Sequence, residues 1–322
     1  MNATLTEVFE HVTLTDSMPP AESGCIDVAL LDMNHFWPNV GHDSLVHAVQ
    51  EGAETHRAEL EEIGARVRVL SFDVRRRNLL PDAPNGRFQL YIGTGGPGHL
   101  DPRLNDGESE FSQGVAESDS WEAPLFRLFD AILAHPSASM LAVCHSFGLM
   151  CRWSGVAHPE LRDEKSSGMP LNRLSREALQ HPWFQDFARE LPDHQHFRVV
   201  DNRLFDLILD APGKSMPIAF EAAGSSALTM VELARDPDGI MPRFLGVNHH
   251  PEIVDREHIM QVLDEKRARG EVSEQWYAER ATTMRDLFRG ENERQSRLTS
   301  RYTLLEPLQF QIGRLIRERA AK

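Results

Sequence analysis

Two short segments carry residue types suited to acyl-transfer chemistry. Residues 139–144 (SMLAVC) form a buried-type apolar run, and residues 145–155 follow at once with Leu149, Met150 and Trp153 on one helical face and Gly155 as its stop. Cys144 therefore falls at a strand-to-helix turn. A nucleophile on such a turn is held out at the sheet edge, and the amides that open the next helix face developing negative charge and favour a thiolate. The second segment is Asn248-His-His-Pro-Glu252, directly after an apolar run at 244–247. His250 could act as general base, and Glu252 could fold back to fix its tautomer and stabilise its imidazolium. Each segment also has a plainer explanation. Cys144 and Cys151 could be small core residues, and a His-His-Pro-Glu string is commonly a polar loop. The two gain force by occurring in one chain.

The elements around them follow an alternating order. Residues 1–24, with Pro19-Pro20, read as an extension ahead of a fold that starts at Ile26. Residues 26–33 are a nearly continuous apolar run, as in a strand covered on both faces. Leu45, Val49, Ala53, Leu60 and Ile63 recur at helical spacing behind an Asp43 cap, with Gly64 placed to end the helix. Residues 66–74 and 88–92 are strands, the second running into Gly93-Thr-Gly-Gly-Pro-Gly98; Leu125, Leu128, Phe129, Ile132 and Leu133 mark a helix that stops before Pro136. This order predicts an α/β fold with a mainly parallel central sheet flanked by helices, its sites lying beyond the carboxyl ends of the strands.

Residues 157–195, rich in charge, Pro and His, read as an insertion with short helices, placed after Cys144 where it could cover a pocket. Further strands are expected at 197–200, 204–209, 216–220, 228–233 and 244–247. Residues 255–322 read as a helical C-terminal extension with breaks near Gly270, Gly290 and Pro307, which leaves 25–254 as one catalytic-type domain.

Composition narrows the function classes. The chain has 322 residues, 41% hydrophobic and 26% charged, the balance of a soluble globular protein. Its 49 acidic and 34 basic residues leave a charge of -15, which disfavours nucleic-acid phosphates and anionic membranes as partners. Cys25, Cys144 and Cys151 form no disulfide framework and no CxxC pair, and no leader or bilayer-length apolar run is present, so a reducing cytoplasm is the expected location. His194, His196, His249 and His258 lack ligand spacing, and neither a metal nor a cofactor is expected. Arg75-Arg76-Arg77 reads as a solvated strand end, and Trp183 and Phe184 as packing anchors. The stretch from Asp255 onward holds 12 acids and 14 bases, so it is the candidate docking element for an acidic partner or a second copy.

Three separated segments together resemble the class I glutamine amidotransferase family, the Cys-His-Glu hydrolases that release ammonia from glutamine. Tyr91-Ile-Gly-Thr-Gly-Gly-Pro-Gly98 is similar to the family's oxyanion strand, Ala142-Val-Cys-His-Ser-Phe-Gly148 to its nucleophile elbow, and Gly246-Val-Asn-His-His-Pro-Glu252 to its Gly-Val-Gln-Phe-His-Pro-Glu signature. The likeness covers roughly residues 26–254. It implies Cys144 as nucleophile, His250 as general base and then acid, and Glu252 as the orienting carboxylate. It further implies an oxyanion site at the backbone amides of Gly96 and His145. The elbow departs from the family's Gly-x-Cys-x-Gly-x-Gln: Ala142 and Ser146 replace the glycines, and Gly148 stands where the family has a glutamine that contacts substrate.

The activity implied is release of ammonia from glutamine through a cysteine thioester, the ammonia passing to a separate synthase. A free-standing γ-glutamyl amide hydrolase and a non-catalytic scaffold or regulatory subunit are the alternatives. Two other motifs weigh less. Gly93-x-Gly-x-x-Gly98 matches a dinucleotide fingerprint, but Pro97 disfavours a helix there. The adjacent Cys144-His145 pair is also similar to the PfpI-like peptidase and chaperone group, which explains His-Pro-Glu less well.

Overall fold

The computed structural model describes residues 3–5, 7–211, 213, 215–222, 226–254 and 256–321. Strands β1 (Ala3–Leu5), β2 (Phe9–Thr13) and β3 (Cys25–Asp32) lead to helices α1 (Gly41–Thr55) and α2 (Arg57–Glu62). Next come β4 (Arg66–Asp73), the single turn α3 (Val74–Arg77), β5 (Leu90–Gly93), α4 (Glu122–Ala134), β6 (Ser139–Val143) and α5 (His145–Ser154). The chain continues through β7 (Ala157–Gly168), β8 (Leu171–Leu174), α6 (Phe184–Glu190), β9 (His196–Arg198), β10 (Asp201–Leu209), β11 (Met216–Glu221), β12 (Leu228–Arg235) and β13 (Pro242–Val247). It closes with α7 (Arg256–Ala268), α8 (Glu274–Leu287), α9 (Glu291–Ser300) and α10 (Glu306–Ala320).

Eleven of these strands form one sheet in the order β1-β2-β4-β3-β5-β6-β13-β12-β11-β8-β9. The run from β2 to β13 is parallel throughout, and the strands beyond β13 add on antiparallel. β7 and β10 stand apart as a two-stranded antiparallel ribbon. The near-continuous apolar run of β3 is explained by cover on both faces. Val28 and Leu30 pack with Leu45 and Val49 of α1 and Ile312 of α10, while Ala29 and Leu31 join a second core with Phe129 of α4 and Phe147 of α5.

Three segments differ from the sequence-based expectation. Residues 9–13 are no mere extension: β2 pairs in parallel with β4, and Phe9 and Val12 are buried. Its polar residues find partners about sixty positions away, Glu10 on Arg66 at 2.8 Å and His11 on Ser71 at 3.0 Å, which no local pattern reveals. The 157–195 stretch contains strands β7 and β8 rather than short helices alone. β7 is half of a wet ribbon whose Arg162 pairs with Asp206 at 2.5 Å, so it carries no apolar stripe. Pro307 breaks nothing, because residues 291–320 form one helical run in which a π turn, Arg301–Leu305, leads into α10 one residue before it. The wider turn accommodates the proline ring and its missing N–H. α10 then lays Leu308, Ile312, Leu315 and Ile316 into the core of its own chain.

Candidate functional site

Cys144 sits at the junction of β6 and α5 with φ 51° and ψ -102°, a conformation that a residue with a Cβ rarely adopts. Its neighbours hold it there. The Cys144 N–H donates to the Val247 carbonyl at 2.8 Å, and the Gly148 N–H donates to the Cys144 carbonyl at 3.0 Å. Ser146, at the family's second glycine, donates its hydroxyl to the Thr94 carbonyl at 2.7 Å and ties the elbow to the end of β5. Gly155, at φ 69°, ends α5 where the sequence placed its stop.

β13 delivers the second segment. His250 is anchored by its N–H to the Val200 carbonyl at 2.8 Å, and its Nδ1 meets Glu252 Oε1 at 2.8 Å. The Glu252 side chain is fully buried. With Nδ1 taken by Glu252, Nε2 is the ring nitrogen left for the nearby Cys144 sulfur. A side chain at Gly95 would begin 3.0 Å from His250 Cε1 and 3.8 Å from Cys144 Sγ, so both reactive groups face one small space beside that turn. Burial alone would discharge the His250 ring. The charges of Glu252 and Cys144, with the hydrogen bond to Glu252, override it and hold the imidazolium well above its ordinary range. The adjacent His249 behaves oppositely: burial first, then His250 and Arg203, lower it to about 3, and it packs edge-on to Phe197 as a neutral core ring.

The Gly93–Gly98 turn lies across from the elbow. A Cβ at Gly96 would stand 2.2 Å from the Met33 carbonyl oxygen, so only glycine allows this approach. The turn is pinned by a residue that sequence reasoning misplaced. Arg75, read as solvated, is buried; it donates to the Met33 carbonyl at 2.9 Å and the Pro97 carbonyl at 2.7 Å, and pairs with Glu117 at 2.5 Å. Glu117 also accepts from Asn105 at 2.6 Å and Trp121 at 3.1 Å. The signal was split between 75 and 117, with nothing local to connect them. His145 is buried within reach of the Gly96 backbone, and burial, then the fields of Arg75, His99 and Arg152, keep its ring neutral.

Cys144 and His250 open into a cavity of about 230 Å³ whose walls come from late and unexpected parts of the chain. Lys165 belongs to the β7 ribbon, Phe205 to β10, and Trp276, Arg280 and Met284 to α8. The expected cover after the elbow is thus partly the ribbon, and the C-terminal extension supplies the opposite wall. At Gly148 a Cβ would stand 2.5 Å from both methyl carbons of Leu100, another lining residue. Leucine fills the space where the family glutamine would project. Among the described residues no group of three His, Cys, Asp or Glu side chains is arranged to hold a metal ion, and no helix is long and apolar enough to cross a membrane.

No family model matches the sequence, and no curated protein matches it. Solved structures do. The crystal structure of SMU.1228c superposes with a TM-score of 0.51 at 15% identity, covering 88% of this chain and 99% of that one. A glutamine amido transferase from Methylobacillus flagellatus superposes with a TM-score of 0.50 at 12% identity, covering 90% and 95%. At these identities the likeness concerns the architecture, and the chain has a class I glutamine amidotransferase-like α/β fold.

Proposed function

We propose that the protein hydrolyses a γ-glutamyl amide through a thioester on Cys144. The observation that carries this reading is the set of Cys144 on a strained elbow, His250 facing the same small space beside Gly95, and buried Glu252 at 2.8 Å from the His250 Nδ1. The imidazolium that Glu252 favours is the partner a thiolate needs. Sulfur attacks the amide carbon, and the oxyanion is received by the backbone amides of Gly96 and His145. Donors of this kind each contribute about 2.7–4 kcal/mol in a measured protease. The C–N bond breaks as His250 passes its proton to the leaving nitrogen. Water, deprotonated by His250, then attacks the thioester, which frees the acid and restores the thiol.

With glutamine as the amide, the nitrogen leaves as ammonia and would pass to a separate synthase. One observation favours a free-standing γ-glutamyl hydrolase over that coupled enzyme: Leu100 occupies the place of the family's substrate-contacting glutamine, so the pocket is shaped for something other than the family default. The test is turnover of glutamine and of γ-glutamyl amides by wild type and Cys144→Ala. Turnover that disappears in Cys144→Ala supports the reading. A chain that cleaves no amide would instead be a scaffold with an altered pocket.

A further inference from the structure

The charges lining the cavity do not balance. Arg203 is matched by Asp201 at 2.9 Å and Asp206 at 3.1 Å, with Glu221 beside them, and Glu252 is matched by His250. Lys165 of β7 and Arg280 of α8 line the same cavity, and among the described residues neither is paired with a carboxylate. Arg280 lies over the Trp276 ring at 5.6 Å, which fixes its guanidinium without neutralising it. Lys165 is open to water, yet partial burial and then the nearby Arg280 charge hold its ammonium below the usual range. Two like charges kept together in a half-enclosed space are costly unless an anion joins them. A separate feature also points to a ligand. Asn248 is buried on the cavity wall, and among the described residues its Nδ2 has no acceptor and Asp201 Oδ1, on the same wall, has no donor.

We propose that Lys165 and Arg280 form an anion subsite and that the amide bound here carries more carboxylates than ammonium groups. The cavity offers two unmatched cations and one open carboxylate oxygen. A γ-glutamyl amino acid or short γ-glutamyl peptide offers two carboxylates and one ammonium, whereas glutamine and a γ-glutamyl alkylamide offer one of each and a γ-glutamyl diamine has an excess of positive charge. This inference rests on the amide-hydrolase reading for its chemistry but not for its binding. In that chemistry the sulfur–carbon bond forms first, the carbon–nitrogen bond of the resulting oxyanion then breaks, the amino acid departs with the proton from His250, and water releases glutamate from Cys144.

Binding of γ-glutamylglycine, glutamine and γ-glutamylmethylamide to full-length Cys144→Ala, measured by calorimetry, tests it without turnover. The expected result is a Kd for γ-glutamylglycine about 10-fold or more below the other two. That preference should weaken with salt, persist in Arg280→Lys and vanish in the Lys165→Gln/Arg280→Gln double variant. Equal affinities, a preference that survives in the double variant, or no binding of any of the three would overturn the proposal. The hydrolase reading fails separately, through absence of turnover in wild type. Wild-type turnover with equal kcat/KM for all three amides would keep that reading and reject the subsite.

Discussion

Replacing Glu252 by Gln removes a charge while retaining an oxygen that can accept from His250 Nδ1. In the wild-type structure that contact is 2.8 Å long, and the Glu252 side chain is fully buried. A hydrogen bond to a charged group is worth roughly 1.5–3 kcal/mol. The bond survives in Glu252→Gln but its charge does not, and at about 1.4 kcal/mol per pKa unit the loss of that charge moves the His250 titration down by about one to two units. The sign follows from the mechanism. The imidazolium must survive long enough to protonate the leaving nitrogen, so the alkaline limb of the kcat/KM profile shifts to lower pH by about the same one to two units. Above that limb the variant is slower by about 10- to 100-fold. Stability carries the same signature. A ring whose proton affinity is raised on folding adds stability that is fully present below about pH 6.5 and fades as pH climbs through the raised value. Wild type should therefore lose more stability than Glu252→Gln on alkalinisation. The assay is a pH series of kcat/KM alongside urea melts. An unmoved alkaline limb in a folded variant would refute the role given to Glu252.

Other consequences follow from neighbouring contacts. Gly148→Gln alone should cost about 1–3 kcal/mol, because the new side chain meets Leu100 at 2.5 Å, and Leu100→Ala in the same chain should restore stability and raise glutamine turnover; denaturant midpoints and a glutaminase assay report both. Arg75→Met leaves buried Glu117 without its counter-charge and frees the Pro97 carbonyl, so a loss of about 3–5 kcal/mol is expected, read as a fall in Tm of about 4–7 °C. Cys144→Gly should melt higher than Cys144→Ala, since glycine alone adopts φ 51° without the strain of roughly 1–3 kcal/mol, and calorimetry of the two variants decides it.

The parallel half of the fold was readable because its signals are local. The apolar run of β3, the alternation of β4 and the strand-to-helix change at Cys144 each lie within a dozen residues, and Gly155 stops α5 as its position suggested. The elements misread are those whose polar residues are satisfied from far away. Phe9–Thr13 resembles a tail until Glu10 meets Arg66, and β7 resembles a charged loop until Arg162 meets Asp206. The same holds at the site. Cys144, His250 and Glu252 stood out by type and spacing, whereas Arg75 was hidden because its partner, Glu117, lies 42 positions on. The α8 wall left a trace in Trp276, Arg280 and Met284, spaced by four, but which face would be needed depended on where α7 and α8 fold back.

Hydrolysis by this route requires Cys144 to carry a covalent acyl intermediate. Cys144 is partly exposed, whereas Cys25 and Cys151 are buried, and burial pushes their thiols up, Cys25 to about 11 and Cys151 well above the usual thiol range. Peptide mass spectrometry after brief exposure to a γ-glutamyl chloroketone therefore separates the three sites. One equivalent on the peptide containing Cys144, blocked by excess γ-glutamyl amide and absent from Cys144→Ala, is the expected result. Label that spreads over Cys25 and Cys151, or an unlabelled Cys144 in folded protein, would contradict it.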